Sequence, residues 1–149
     1  MKTVPFVRQH FGDLAEQDAR HHSRLVGDWK AMLDHAIRPD LSFSGIENGY
    51  LIACGGIMPI WEGVAECWFF GGELLRSRKL SVVKTLVSTL AEMVREQDIR
   101  RLQAVVHCEW DEAQRFVEFL KFKQEGLLEG YGPDGSDHYM YSRIIKCPH

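Results

Sequence analysis

The chain has 149 residues, which suits one domain with a substantial core. Its hydrophobic content of 45% and charged content of 26% are ordinary for a soluble globular protein. The formal net charge of −3 gives no overall attraction to nucleic acid or to an anionic membrane, so any anion site must be local. The longest nearly apolar run, residues 49–60, is shorter than the roughly 20 residues that a membrane-spanning helix needs.

The cysteines and the start of the chain predict a cytoplasmic protein. The four cysteines are widely spaced and form no Cys-x-x-Cys pair, which indicates a reducing compartment without a structural disulfide. Residues 1–9 have no apolar stretch typical of a signal peptide. The histidines His21 and His22, with His10 or His35, match no known metal-ligand spacing, so we predict no metal site.

The first third of the chain predicts a strand followed by two helices. Residues 3–7 form a short apolar run with β-branched side chains, typical of a strand. Residues 11–26 favour a helix with a mixed polar face, and Gly27 ends it. Asp28 suits the N-cap of a second helix, which Pro39 terminates.

A three-stranded meander follows. Residues 41–47 alternate between apolar and polar, and Asn48-Gly49 is a strong hairpin signal. Residues 50–58 return as a strand in which Gly55-Gly56 predicts a bulge or a close backbone contact. Residues 59–63 predict a turn, and residues 64–70 the third strand.

A long amphipathic helix up to residue 97 follows a Gly71-Gly72 break and a basic turn, with Ser81 as a cap near its start. Its predicted inner face is Val83, Leu86, Val87, Leu90, Met93 and Val94. Arg76, Arg78, Lys79 and Lys84 crowd the end where the helix dipole is positive and cations are unfavourable. Such a cluster is consistent with a bound phosphate, or else with a solvated turn that binds nothing.

The remaining segments complete a mixed sheet. Residues 102–107 predict a strand parallel to residues 64–70, because a helical crossover joins them. Asp111 and Gln114 resemble a capping box at the start of another helix, whose buried face is Ala113, Phe116, Val117 and Leu120. Residues 123–131 and 137–144 predict a closing hairpin.

This order and several motifs resemble the GNAT superfamily of acetyl-CoA-dependent N-acyltransferases. Residues 48–56 look like the family's hairpin and third strand, and residues 113–126 like its "Asn-x-x-Ala … Leu-Gly-Phe" segment. Residues 131–143 are similar to GNAT-like proteins encoded by tailed phages. The resemblance implies one α/β domain over residues 1–149: a mixed, mostly antiparallel sheet with a central splayed parallel strand pair and helices on both faces.

The resemblance also implies acetyl-CoA as cofactor. The pantetheine of the cofactor would lie in the gap between the splayed strands, and backbone N–H groups of an Arg/Gln-x-x-Gly-x-Gly/Ala turn would hold its pyrophosphate. Arg76 matches the first position of that turn, whereas its glycine positions hold Lys79 and Ser81. The predicted cofactor-binding residues are Phe69, Phe70, Gly71, Arg76, Arg78, Lys79, Leu80, Ser81 and Trp110.

Catalysis in the family commonly uses a glutamate on the strand before the turn as the general base, and Glu66 is the residue in that region of this sequence. Alternation along the strand could equally place Glu66 on a solvated face. His107 is a second candidate acid or base, and its alternative role is that of a hydrogen-bonded structural residue. The helix tyrosine that protonates the leaving thiolate corresponds to Val117, so a replacement acid would have to come from the closing strands, from Tyr131, Tyr139 or Tyr141.

Two functions follow from the resemblance. The first is an N-acetyltransferase that transfers an acetyl group from acetyl-CoA to a primary amine of a small molecule or peptide, by direct attack. The second is a GNAT-fold protein that has lost catalysis and serves as a binding or structural module, for instance in a phage or prophage. Val117 and the two missing turn glycines motivate the second. Either function is compatible with a homodimer, and neither involves nucleic acid or a membrane.

Overall fold

A computed structural model of the chain describes residues 1–17, 37–72, 74–75 and 79–145. These residues form seven strands, which are β1 Lys2–Pro5, β2 Ser42–Glu47, β3 Tyr50–Trp61, β4 Val64–Gly71, β5 Arg101–His107, β6 Lys123–Leu128 and β7 His138–Ile144. The helices are α1 Arg8–Gln17, α2 Lys79–Glu96 and α3 Asp111–Phe119, with a 3-10 turn at Pro39–Leu41. The predicted second helix, from Asp28 to Pro39, falls almost wholly outside the described residues.

The strands form one sheet in the order β1-β2-β3-β4-β5-β7-β6. Every neighbouring pair is antiparallel except β4 and β5, which are parallel and joined by α2. The mixed α/β architecture with one central parallel pair is therefore confirmed. Among the described helices, none is both long and apolar enough to cross a bilayer.

The β2–β3 hairpin is confirmed at the level of backbone torsions. Asn48 and Gly49 both adopt positive φ angles, 53° and 81°, as the turn of a two-residue hairpin requires. The bulge alternative for Gly55-Gly56 is wrong, since neither residue interrupts the register with β2 or β4. The close-contact alternative is right, because a Cβ on Gly56 would lie 2.4 Å from the carbonyl oxygen of Leu41.

β3 is longer than predicted. It continues through the expected turn at residues 59–63 as far as Trp61, with a register irregularity after Pro59. The proline is tolerated at this irregularity, and the apolar Ile60 and Trp61 extend the strand beyond it. The turn is therefore confined to Glu62 and Gly63, where Gly63 has a φ of 82°.

Helices pack on both faces of the sheet. On one face α2 and α3 cover the largest cluster of buried side chains, which includes Ala65, Leu86, Leu102, Ala104, Val106 and Tyr141. On the other face Leu14 of α1 packs with Phe6, Cys54 and Phe70. Alternation along β4 therefore places Ala65, Cys67 and Phe69 under α2 and α3, and Glu66, Trp68 and Phe70 on the α1 face.

Three details of the helix predictions are wrong. Ser81 is not a cap, because α2 begins two residues earlier, at Lys79. Val87 is 44% exposed, while Val82, which was left out of the predicted inner face, is fully buried. The N-cap of α3 is Trp110 rather than Asp111.

Gln114 makes a different contact from the predicted capping box. Its side-chain amide donates to the carbonyl oxygens of His107 at 3.2 Å and Cys108 at 2.8 Å. Gln114 thus ties α3 to the end of β5, because it satisfies carbonyl groups of the segment that leads into the helix.

Candidate active site

The two parallel strands separate after a short paired region. β4 and β5 are in register only from Val64 and Arg101 to Glu66 and Gln103. Beyond that point β4 continues along β3, and β5 continues along β7. The result is a V-shaped split in the sheet, with Glu66 and Gln103 at its apex and one edge of each strand facing the gap.

Glu66 lies at this apex on the α1 face, and the geometry therefore disfavours the solvated-face alternative. Burial raises the pKa of its carboxyl group, and a side-chain hydrogen bond with Gln103 partly opposes the rise. A carboxyl group with a raised pKa is a better proton acceptor than an ordinary surface glutamate once it is ionised. The site thus contains a half-buried carboxylate at the point where the two strands part.

The two residues predicted to be catalytic are not brought together. His107 lies on the same face as Glu66 but four residues beyond Gln103, about 13 Å along the strand. Its Nδ1 accepts the backbone N–H of Glu109 at 3.0 Å, so the neutral ring carries its proton on Nε2. His107 instead faces its register partner His138, with the ring centroids 5.0 Å apart.

His138 is a residue that the sequence interpretation missed. It is buried, and burial is the main cause of its lowered pKa. Its Nδ1 lies 3.3 Å from the carbonyl oxygen of Ser136, so the neutral ring donates from Nδ1. His138 could have been found only by aligning the predicted closing strand with β5, which places it opposite His107.

Tyr131 extends this aromatic group toward Glu66. Its ring lies 5.3 Å from that of His138 in an edge-to-face arrangement, and the residue is 53% exposed. Burial raises the pKa of the Tyr131 hydroxyl, and the charge of Glu66 raises it further. The phenol is therefore within electrostatic reach of the carboxylate and stays protonated at neutral pH.

The other two candidate tyrosines lie under α3. Tyr141 is fully buried, and its single hydroxyl proton is shared between the side-chain oxygens of Glu118 at 3.2 Å and Gln124 at 3.3 Å. Tyr139 packs against the α2–α3 core. The predicted strand over residues 123–131 is too long, because β6 ends at Leu128 and Tyr131 lies in the β6–β7 turn. Of these three tyrosines, only Tyr131 is coupled to Glu66.

The α3 side of the split is apolar. The Phe69 ring on β4 stacks on the Phe116 ring of α3, with centroids 5.1 Å apart and planes 25° apart. Val117, at the position of the family's tyrosine, packs against the same core and offers no proton. Phe70 points to the opposite face and is buried beneath α1, while Trp110 is half-buried at the start of α3.

The start of α2 is described only in part. Arg76 and Arg78 lie outside the described residues, and Lys79 is the first residue of the helix. Leu80 is 89% exposed. The Ser81 hydroxyl accepts the α-amino group of Met1 at 2.9 Å and donates to Glu47 at 3.2 Å.

Gly71 ends β4 just before this region and is held close to Leu75. A Cβ on Gly71 would lie 2.2 Å from Leu75 Cδ2. Of the predicted cofactor-binding residues that the structure describes, Phe69, Phe70 and Gly71 lie on β4, Lys79, Leu80 and Ser81 lie in the first turn of α2, and Trp110 lies at the start of α3.

Comparison with known proteins identifies this architecture. No protein-family model and no curated protein matches the sequence. Solved structures do match: Ard1 from Thermoplasma volcanium superposes with a TM-score of 0.76 at 18% identity, covering 97% of each chain. A spermidine N-acetyltransferase variant from Vibrio cholerae gives a TM-score of 0.71 at 11% identity, covering 97% of this chain and 95% of its own.

An acetyltransferase of the GNAT family from Streptococcus pneumoniae gives a TM-score of 0.58 at 17% identity, covering 70% of this chain and 66% of its own. The chain has the GNAT fold. In this GNAT-fold chain Glu66 occupies the apex of the split, and Arg76 and Arg78 precede the helix after β4 in the sequence. The low identities explain why the resemblance is carried by element order and local motifs rather than by long matching stretches.

Proposed function

We propose that the protein is an N-acetyltransferase that transfers the acetyl group of acetyl-CoA to a primary amine. The observation that carries this proposal is the split between β4 and β5 with a half-buried, pKa-raised carboxylate at its apex. The unpaired edge of β4 beyond Glu66 offers backbone groups to an extended ligand, and the helix after it offers N–H groups and positive charge to phosphates. Bound acetyl-CoA would supply an activated acyl carbon.

Glu66 acts as the general base in this proposal. It takes a proton from the acceptor amine, directly or through one water molecule, and the neutral amine then attacks the thioester carbonyl. Tyr131, in the β6–β7 turn, is the proposed proton donor to the departing thiolate, because of the three candidate tyrosines it is the one coupled to Glu66. The attacking nitrogen loses a second proton as the tetrahedral intermediate collapses to the amide. This proton restores Tyr131 and so balances the proton gained by the thiol, while the proton held by Glu66 passes to solvent.

Direct attack is favoured over a covalent enzyme intermediate. A cysteine nucleophile would have to ionise, since the thiolate is the reactive form. Burial raises the pKa of Cys67, the cysteine next to Glu66, to about 12, so this thiol stays protonated. Its side chain also lies on the α2–α3 face rather than beside Glu66.

Calorimetry with acetyl-CoA tests the cofactor proposal. We expect binding that weakens in Arg76→Ala and Lys79→Ala, because each substitution removes a positive charge near the phosphates. Lys123→Ala on β6 is the matched control and should bind like the wild type. Absence of detectable binding at millimolar cofactor would contradict the proposal.

A binding or structural module without catalysis is the second candidate. The observation that favours it is Val117, an apolar side chain at the position of the family's proton-donating tyrosine, together with Lys79 and Ser81 in the positions of the turn glycines. Thiol release from acetyl-CoA with a panel of polyamines, amino acids and peptide N-termini separates the two. Cofactor binding without turnover above the uncatalysed rate would favour the module, whereas turnover that falls in Glu66→Gln would favour the enzyme.

A further inference from the structure

A chain of polar side chains crosses the sheet from the apex of the split to its edge. Glu66 on β4 faces Gln103 on β5 as its register partner. The Gln103 side-chain oxygen accepts the Nε–H of Arg101 at 3.2 Å. Arg101 in turn forms two parallel hydrogen bonds of 2.8 Å with the carboxylate of Glu125 on β6, which also accepts the hydroxyl of Ser142.

The backbone explains how these groups meet. Arg101 and Gln103 are two residues apart on β5 and therefore share the α1 face. Gln103 is also in register with Ser142 on β7. Glu125 occupies a register shift between Gln124 and Gly126, and such bulges redirect a side chain. The bulge thus allows a β6 carboxylate to reach Arg101.

The contact with Arg101 fixes the orientation of the Gln103 amide. Because the side-chain oxygen of Gln103 accepts from Arg101, its NH₂ group is the part left to face Glu66. An NH₂ group can only donate, so it orients the carboxylate and favours its ionised form. A reversed amide would present an oxygen to the carboxylate and repel it.

We propose that Gln103 is the positioning residue of Glu66, and that the Arg101–Glu125 pair holds Gln103 in its donating orientation while confining the arginine charge away from Glu66. This inference rests on the proposed function, since it concerns the base of that reaction. The arginine side chain is 27% exposed and the glutamate 42%, so the pair is a partly solvated clamp. Glu125 remains ionised because its hydrogen bonds with Arg101 and then Ser142 hold its pKa at about 2.

The division of charge matters for the chemistry. A guanidinium placed directly against Glu66 would lower the pKa of the base and weaken it as a proton acceptor. In the structure a neutral amide touches Glu66, and the charge of Arg101 is matched by Glu125. Of the described groups, the other titratable neighbours of Glu66 are Tyr131 from the β6–β7 turn and Cys67 on its own strand.

The network predicts pKa changes of opposite sign in two variants. Gln103→Leu removes the donor to the carboxylate, so the titration midpoint of Glu66 should move to higher pH. Glu125→Gln leaves the Arg101 charge without its carboxylate partner, so the midpoint should move to lower pH. Arg143→Gln, an exposed arginine that contacts Leu120 instead of this network, is the matched control and should leave the midpoint unchanged.

The measurement is a carboxyl ¹³C NMR titration of glutamate-labelled full-length protein, with Glu66→Gln used to assign the Glu66 signal. The titration does not require turnover. A wild type without activity would overturn the proposed function, and the titration would still show whether Gln103 and the Arg101–Glu125 pair set the pKa of Glu66. If the protein turns over substrate, Gln103→Leu should lower kcat/KM about tenfold at pH values where Glu66 is partly protonated. A tenfold change corresponds to the loss of one hydrogen bond to a charged group. An unchanged or lower midpoint in Gln103→Leu, or a higher one in Glu125→Gln, would overturn the inference.

Discussion

Replacing Glu66 by glutamine tests the chemistry at the apex of the split. The substitution preserves the shape of the side chain and one oxygen that can accept from Gln103, but it removes the group that takes up the proton. General-base catalysis contributes roughly 10²- to 10⁴-fold, so kcat should fall at least about 100-fold, or about 2.7 kcal/mol of transition-state stabilisation. The KM for acetyl-CoA should change little, because the carboxylate faces the α1 side rather than the β4 edge.

The pH dependence of Glu66→Gln gives an independent check. In the wild type, kcat/KM should fall on the acid side as Glu66 becomes protonated, at a pH above that of an ordinary carboxyl because burial raises its pKa. This limb should be absent from the residual activity of the variant. The assay is continuous detection of the released thiol at saturating acetyl-CoA, with the amine concentration varied at each pH so that both kcat and kcat/KM are obtained. A kcat within about threefold of the wild type, or an unchanged acid limb, would refute the base assignment.

The same substitution should not destabilise the protein. A carboxyl group whose folded-state pKa is raised contributes its full stabilisation below its unfolded-state pKa and loses it as pH rises through the folded-state pKa. At pH 8 the ionised Glu66 is therefore a cost to the fold. Thermal unfolding of Glu66→Gln at pH 8 should give a Tm equal to or above that of the wild type, whereas a loss of activity caused by misfolding would be accompanied by a lower Tm.

Three further predictions follow from single residues. Tyr131→Phe should lower kcat roughly 10- to 100-fold without weakening acetyl-CoA binding by calorimetry, and an aryl thioester donor, whose thiolate needs no proton, should restore much of the loss. Leu86→Ala should cost about 2–5 kcal/mol in urea unfolding because Leu86 is 1% exposed in the core, and a cost below 1 kcal/mol would contradict that packing. Above pH 4.5, Glu125→Gln should lower the free energy of unfolding by about 1 kcal/mol or less, because the Glu125 side chain is 42% exposed and its ion pair is partly screened. The difference in unfolding free energy between wild type and variant should vanish as pH falls toward 2, where Glu125 becomes protonated.

The topology was predictable because its signals are local. Asn48-Gly49 requires positive φ angles that few other residue pairs adopt, and the apolar segments on either side of α2 require a crossover between parallel strands. The length of β3 was not predictable in the same way. Pro59 predicts the end of a strand, but the register irregularity beside it allows β3 to continue to Trp61.

The site was harder to predict from sequence because its contacts depend on the register between strands. Alternation allowed Glu66 on either face, and only the packing of Phe70 beneath α1 decides which face it occupies. Gln103 is a neutral residue in an apolar strand and gives no signal of its own. Glu125 reaches Arg101 through a bulge in β6, and His138 faces His107 across the β5–β7 pairing. In both cases the two residues are far apart in the sequence.

The start of α2 bears on the alternative that the protein has lost catalysis. The Ser81 hydroxyl donates to Glu47, so an acidic side chain already lies beside the first turn of the helix, where negative charge is favourable. The charge of this carboxylate is partly offset by the α-amino group of Met1, which lies 3.5 Å from Glu47 Oε1, and a bound pyrophosphate would lie near both groups. In the proposed function, Arg76, Arg78 and Lys79 attract the phosphates by their charge, whereas the glycines of a glycine-rich turn allow close backbone approach. Cofactor affinity in this chain should therefore depend more on side-chain charge, and weaken more steeply with salt, than in a GNAT-fold protein with a glycine-rich turn.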